Sequence, residues 1–298
     1  MGDRLIGHQA KSGKGRPGTG AKADLLPSTG TTMPGPHLPP EILDYIADLL
    51  RDDLEALEKC CLVSKSWIPR TRKHLFAEVE LSTEEHLESW TKTFLDPSTS
   101  PVCFVKSLRA ECAHVIEAAG AGGEAGGWLG DFSHIVHLGV ETRDMYPDGL
   151  VVSLAPFYGF SRTIKSLRVG SFFFPPERIF DLILSFPLLE DLTVTRYGIS
   201  VDDGGGPDGP SIPVQPSSPP MLTGSMELCL EQGLGPIASR LLSLPSGIHF
   251  RKLALTWHRG EDISLTMALV EVCSHIIESL SITCNLRGVS ARYLCTRR

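Results

Sequence analysis

Ile164-Lys165-Ser166-Leu167-Arg168-Val169 is the stretch whose reading decides the fold. An apolar residue is followed by two variable residues, a Leu, one variable residue and a second apolar residue. The same spacing returns at Val105 to Ala110, Ile135 to Val140, Leu189 to Val194, Phe250 to Leu255 and Ile277 to Ile282. Weaker copies are Phe76 to Leu81 and Ser225 to Leu230. The middle positions fall at Val79, Leu108, Leu138, Leu167, Leu192, Leu228, Leu253 and Leu280, at intervals of 29, 30, 29, 25, 36, 25 and 27 residues. Recurrence in that range marks an array of stacked repeats, each unable to bury its apolar face alone. Such arrays present extended binding surfaces.

Each copy is short and β-rich. Successive side chains of a strand point to opposite faces. The anchor and the residue two later therefore face a core, while the residues on either side of the anchor face out. The first apolar residue breaks this parity, so it enters the core from a bend before the strand. Between the copies lie segments of helical spacing. They are Leu87, Trp90 and Phe94 after a Ser82-x-x-Glu85 capping box, then Leu150, Leu154 and Phe157, then Ile179, Leu182, Ile183 and Phe186. Ile237, Leu241 and Leu244 follow, then Ile263, Met267 and Val270. Strand and helix alternating in this way predict an α/β solenoid with parallel strands lining a concave side and helices on the convex side. The solenoid occupies 76–298, interrupted by a Gly- and Pro-rich loop insertion at 202–220 and weakened by the Gly-rich segment 119–130. After Ile282 come only Asn285-Leu286-Arg287 and a basic tail from Arg292 to Arg298. Solenoid ends need capping, so a short irregular last helix or a truncated product is expected.

The net charge of −7 is uneven. Residues 1–37 carry Arg4, Lys11, Lys14, Arg16 and Lys22 against Asp3 and Asp24, giving +3 and leaving −10 on the rest. That balance speaks against nucleic-acid binding by the body of the protein. The eight Cys form no C-x-x-C pair and read as buried reduced thiols before zinc ligands or disulfides. No secretory h-region and no apolar run of roughly 18 residues is present. A reducing compartment, cytosol or nucleus, with no membrane partner, is expected.

Residues 1–37 are rich in Gly, Pro, Lys, Ser and Thr and predict a disordered tail. From Leu38 helical spacing begins. Pro39 and Pro40 suit a helix start, followed by Ile42, Leu43, Ile46, Leu49 and Leu50. A second helix fits Leu54, Leu57, Cys61 and Leu62, and a third starts near Ser64 and carries Trp67 and Leu75. Residues 38–76 thus predict a compact three-helix unit. About 40 residues is marginal for independent folding, so the unit should lean on the first repeat or on a partner.

These residues resemble the F-box. Its pattern is matched by Leu38-Pro39-Pro40-Glu41-Ile42-Leu43, by Ile46 and Leu49, by Asp53-Leu54, and by Val63-Ser64-Lys65-Ser66-Trp67. The closing Leu-Trp of many F-boxes is Leu75-Phe76 here. The repeats resemble the leucine-rich repeat over 76–285, in its longer ribonuclease-inhibitor-like form. They largely lack its Asn position, which only Asn285 fills. An F-box followed at once by such repeats is similar to many fungal F-box proteins. The resemblance implies docking on the Skp adaptor of a cullin–RING ubiquitin ligase, with the repeats holding a protein target. Leu38, Pro39, Pro40, Ile42, Leu43, Ile46, Val63 and Trp67 would be the adaptor-binding residues, unless they form the unit's own core. A repeat scaffold outside any ligase is the alternative.

No catalytic signature is found. Gly15 to Lys22 lacks the G-K-[ST] end of a phosphate loop. His134-x-x-His137 and Cys112-x-His114 do not complete a metal set. G-x-S-x-G and H-E-x-x-H are absent. A non-catalytic receptor without cofactor is expected. Among outward strand positions, Arg109 and Arg168, with His137 between them, are candidates for holding an acidic or phosphorylated peptide, against an ordinary solvated strand face.

Overall fold

The computed structural model describes residues 38–94, 100–111, 115, 129, 132–141, 154–160, 162–170, 176–195, 220–230, 235–257, 263–286 and 289–296. The expected tail at 1–37 lies outside them. So do Cys112 and His114, all of the 202–220 insertion but Pro220, and all of the Gly-rich segment but Leu129. The chain divides into Met1–Pro39, of which Leu38 and Pro39 are described, and a single compact unit Pro40–Arg298.

That unit begins with three helices: α1 (Pro40–Leu49), α2 (Leu54–Val63) and α3 (Ile68–Leu75). Asp53 caps α2, its side chain accepting a 3.0 Å bond from the Ala56 N–H. Pro69 sits in the first turn of α3, where its missing N–H costs little. The helix starts later than the expected Ser64, at Ile68, with Trp67 as an N-cap residue that makes no side-chain cap bond. Leu43, Ala47, Leu57 and Thr71 form the small interior. The Thr71 hydroxyl donates to the Trp67 carbonyl at 2.9 Å and lies 2.8 Å from Cys61 Sγ. Arg70 pairs with Asp44 at 2.7 Å and His74 Nε2 meets Asp48 at 2.8 Å, so α3 holds α1 by polar contacts as well.

Phe76 carries the chain into the sheet. It packs edge-on against Trp90 and Phe94, and Trp90 stacks on Phe132 at 5.8 Å. An interior this small is marginal alone, and this aromatic run joins it to the first repeats.

Among the described residues nine strands follow in one sheet, ordered as they occur in the chain: β1 (Glu78–Leu81), β2 (Ser107–Ala110), β3 (His137–Glu141), β4 (Ser166–Gly170), β5 (Asp191–Thr195), β6 (Ser225–Leu230), β7 (Lys252–Trp257), β8 (Ser279–Leu286) and β9 (Val289–Thr296). β1 to β8 are parallel and β9 runs antiparallel to β8. Helical segments cross between them: α4 (Glu84–Thr93), 3-10 turns at Pro101–Phe104 and Ala155–Phe160, α5 (Pro176–Leu184), α6 (Gly235–Leu242) and α7 (Ile263–Cys273). The architecture is α/β, with one strand added per repeat.

The register explains the repeat. Val79, Leu108, Leu138, Leu167 and Leu192 are direct partners across five strands. All are buried, as are the residues two later. Val105, Ile135, Ile164, Leu189 and Phe250 have no exposed surface and reach the core from the bend before their strands. A second periodic device lies at that bend. The carbonyl two residues before each of the first four anchors accepts two N–H groups from the next repeat. The Ala77 carbonyl takes Lys106 and Ser107, Lys106 takes Val136 and His137, Val136 takes Lys165 and Ser166, and Lys165 takes Glu190 and Asp191. Buried backbone groups need partners, and this ladder supplies them where the chain enters the sheet.

At β6 the anchor differs from the sequence reading. Leu192 pairs with Met226, and Leu228 pairs with Val194. The repeat is set two residues earlier than Leu228 suggested, which makes the intervals 34 and 27 in place of 36 and 25. Because the strand period is two, this shift keeps every side chain on its expected face. The bend ladder is altered at the same place. The Glu190 carbonyl accepts only from Gly224, and the Ser225 N–H turns to the Asp191 side chain at 2.6 Å. The Ser225 hydroxyl donates to the same Asp191 Oδ1 at 2.6 Å. Gly224 is required there: a Cβ would stand 2.4 Å from Asp191 Oδ1 and 2.9 Å from the Glu190 carbonyl. Asp191 and Gly224 thus re-join the array after the insertion.

Three local expectations change. The cap of α4 is Thr83, which accepts from the His86 N–H at 3.2 Å; Ser82 instead lies 3.1 Å from His86 Nδ1. In α7 the inward residues are Thr266, Leu269 and Cys273, while Ile263 and Met267 are exposed. That helix is apolar on most sides, so spacing alone selects no single face. Finally, a strand, β9, and not a helix follows β8 among the described residues.

Candidate functional site

Two surfaces of the Pro40–Arg298 unit gather the candidate residues. The first is on the helical unit. Ile42, Tyr45 and Leu49 of α1 are 44%, 62% and 66% exposed and follow one another at helical spacing along one stripe. Leu62 and Val63 at the end of α2 are 87% and 76% exposed. An exposed apolar stripe such as that on α1 is a feature of interaction surfaces, and Leu62 and Val63 add exposed apolar side chains on α2. Pro40 is exposed, and Ile46 and Trp67 are half-buried. Leu43, expected to contact the adaptor, is instead buried among the three helices, since it faces away from the Ile42–Tyr45–Leu49 stripe. Leu38 and Pro39 are exposed and belong to the other unit. Tyr45, Leu49 and Leu62 were not among the candidate contact residues; their outward direction depends on where α3 packs.

The second surface is the sheet face that carries the residues flanking the anchors. One row in register reads Glu80, Arg109, Gly139, Arg168, Thr193 and Glu227. Arg109 and Arg168 therefore lie in one row, separated by one strand. Between them stands Gly139, and His137 lies in the preceding row opposite Ser107 and Ser166. The gap is filled from the other side. Glu141 reaches back over Gly170, accepting from Arg168 Nε at 2.6 Å and from Arg109 Nη2 at 2.9 Å with one carboxylate oxygen. Arg109 Nε is also 2.8 Å from Glu111, whose side chain has no exposed surface, and Arg109 Nη1 is 3.9 Å from Glu80.

The two glycines make this arrangement possible. A Cβ at Gly139 would lie 3.0 Å from Arg109 Cγ, and one at Gly170 would lie 2.9 Å from Glu141 Cγ. Burial pushes the Glu141 carboxyl upward, but the hydrogen bonds from Arg168 and Arg109 outweigh it and hold the carboxyl below its ordinary 4.5. Burial likewise opposes the Arg109 charge, and Glu141, Glu111 and Glu80 more than offset it. Three carboxylates therefore face two guanidiniums, and the expected basic stripe is internally neutralised. Glu141 was the residue missed. Its signal was the acid at the third position after the anchor in two successive repeats, Glu111 and Glu141.

No group of three His, Cys, Asp or Glu able to hold a metal occurs among the described residues. His134 and His137 are both exposed. Of the cysteines, Cys273 is buried, while Cys103 and Cys295 are exposed, correcting the reading of uniformly buried thiols. No helix among the described residues is long and apolar enough to cross a membrane. Comparison with protein-family models, curated proteins and solved structures finds no match.

Proposed function

We propose that this protein is the substrate-recognition subunit of a Skp–cullin–F-box type ubiquitin ligase. Its helical unit docks on the Skp adaptor, and its repeat array holds a protein target. The role is non-catalytic. Its effect is proximity: a target held beside a charged ubiquitin-carrying enzyme meets it at high effective concentration. It works in a reducing compartment, cytosol or nucleus.

The observation that carries this reading is the apolar stripe Ile42, Tyr45 and Leu49 with Leu62 and Val63, on a unit whose sequence resembles the F-box. A three-helix unit with so few interior residues gains by covering this surface. The alternation of strand and helix in the array supports the leucine-rich-repeat resemblance of the remainder.

The test is retention of purified Skp adaptor on the immobilised chain. The wild type retains it, and Ile42→Asp with Val63→Asp does not, because each places a charge in a desolvated contact. Both positions are exposed, so the far-ultraviolet circular dichroism of the double variant stays that of the wild type. Failure of the wild type to retain adaptor removes the ligase reading and leaves a repeat scaffold acting on its own.

A further inference from the structure

Among the described residues the sheet ends in β1 on one side and β9 on the other, and the two edges are built differently. The β1 edge is four residues long and carries Glu78 and Glu80. Short length and charge are common ways of protecting an edge from further pairing. The β9 edge is eight residues long and contains no Pro, Lys, Asp or Glu. Its one charge, Arg292, turns back toward β8, with Nε donating to the Ser281 hydroxyl at 3.4 Å. Residues 292–296 are exposed on both faces, with Tyr293 at 67% and Leu294 at 66%. Tyr293 stands opposite Ile282 and Cys295 opposite Leu280, on the core side of the sheet. Leu280 and Ile282 are only half-buried there, whereas Leu253 and Leu255 one strand earlier are fully covered.

We propose that this edge is the interface of a symmetric dimer, with β9 of a second copy of this chain paired antiparallel to it. A two-fold axis normal to the sheet keeps each face on its own side, so directly opposed residues share parity. Centring on Tyr293 sets Arg292 against Leu294, Ala291 against Cys295 and Ser290 against Thr296. Centring on Arg292 would oppose two guanidiniums, which is unfavourable. In the Tyr293 register every opposed pair is apolar, hydroxylic or a single charge against an apolar group. The strand is therefore complementary to itself. The pairing uses up the edge on each molecule, so assembly closes at two. The adaptor-docking stripe takes no part, and the two proposals stand or fall separately.

Sedimentation analysis of the full chain from about 1 to about 100 μM, which covers the weak, micromolar end of the affinities that protein interfaces reach, tests this. The wild type rises toward twice the chain mass of 32.4 kDa. Tyr293→Lys, which opposes two ammonium groups at the centre, and Leu294→Lys both remain at the single-chain mass with unchanged circular dichroism. In a Cys103→Ser, Cys295→Ser background, Tyr293→Cys forms a disulfide-linked dimer under mild oxidant. Ser290→Cys, opposite Thr296, does not. A wild type that stays at the single-chain mass throughout overturns the proposal. So does assembly beyond two copies, a dimer indifferent to both lysine variants, or self-linkage at position 290 exceeding that at 293.

Discussion

Replacing Glu141 with Gln tests whether Arg109 and Arg168 are spent inside the molecule. Gln keeps the shape and leaves an acceptor oxygen for both guanidiniums, so the change removes charge and little else. In the native chain one Glu141 oxygen takes both bonds, at 2.6 and 2.9 Å. The two bonds to Gln stay charge-assisted through their guanidinium donors, so what the change removes is the ion-pair attraction. At up to about 1 kcal/mol for each partly exposed pair, the two together give at most about 2 kcal/mol. Glu141 is 13% exposed, but Arg109 and Arg168 are 36% and 47% exposed, so solvent screening lowers the expectation to about 1–1.5 kcal/mol. The pH dependence supplies the sign. The folded-state carboxyl lies below its ordinary value of 4.5. Its contribution is therefore full above that value and is lost as the pH falls through the folded-state value. Urea unfolding at pH 7 should show Glu141→Gln less stable by the stated amount. The gap should close progressively below pH 4.5, because a protonated Glu141 and a Gln are then alike. A gap under about 0.5 kcal/mol at pH 7, within the range of ordinary surface substitutions, or one that persists unchanged in acid, would refute the bridge.

Two further outcomes follow from the array. Asp191→Ala removes the acceptor of both Ser225 bonds and leaves a half-buried N–H unpaired, costing about 1–3 kcal/mol. Thermal unfolding should shift by roughly 2–4 °C per kcal/mol; Ser225→Ala, which loses only the hydroxyl bond, should lose less, and an equal or larger loss there would contradict the account. In timed alkylation followed by mass spectrometry, Cys103 and Cys295 should react first and Cys273 only on unfolding. Burial pushes the Cys273 thiol above its ordinary 9.0, and a hydrogen bond from the Phe250 backbone offsets only part of that.

The anchor spacing made most of the fold legible because the two strand faces see different environments. An anchor Leu and its neighbour two residues on must both be covered, whatever lies between the repeats. That requirement survives irregular intervals, so seven of the eight anchors were read in their true register. The eighth was displaced by two at Met226, where an insertion precedes the strand and Met in place of Leu weakens the pattern. The helical spacing located α5 and α6 but failed on the inward face of α7, whose apolar residues surround the helix. β9 went unread because Arg292, Tyr293 and Leu294 form no alternation with a buried side: both of its faces are exposed.

The candidate site was less legible for a related reason. Sequence parity says which side chains leave the core; it says nothing of which of them meet. Arg109, Glu141 and Arg168 are about 30 residues apart along the chain, yet the register sets their strands side by side. Gly139 and Gly170 look like losses of strand-forming residues, and their role is visible only once the crossing side chains lie over them. The consequence for recognition is direct. An acidic ligand entering between the two arginines does not meet an open cationic cleft, because it must displace a carboxylate already held by both. Breaking those bonds costs as much as the ligand's own equivalent bonds would return, so two arginines in a row give such a ligand little net attraction. Under the proposed function, a target held on this face is selected by the shape and exposed polar groups of the other rows, or by an anionic group that carries more charge than the single one of Glu141.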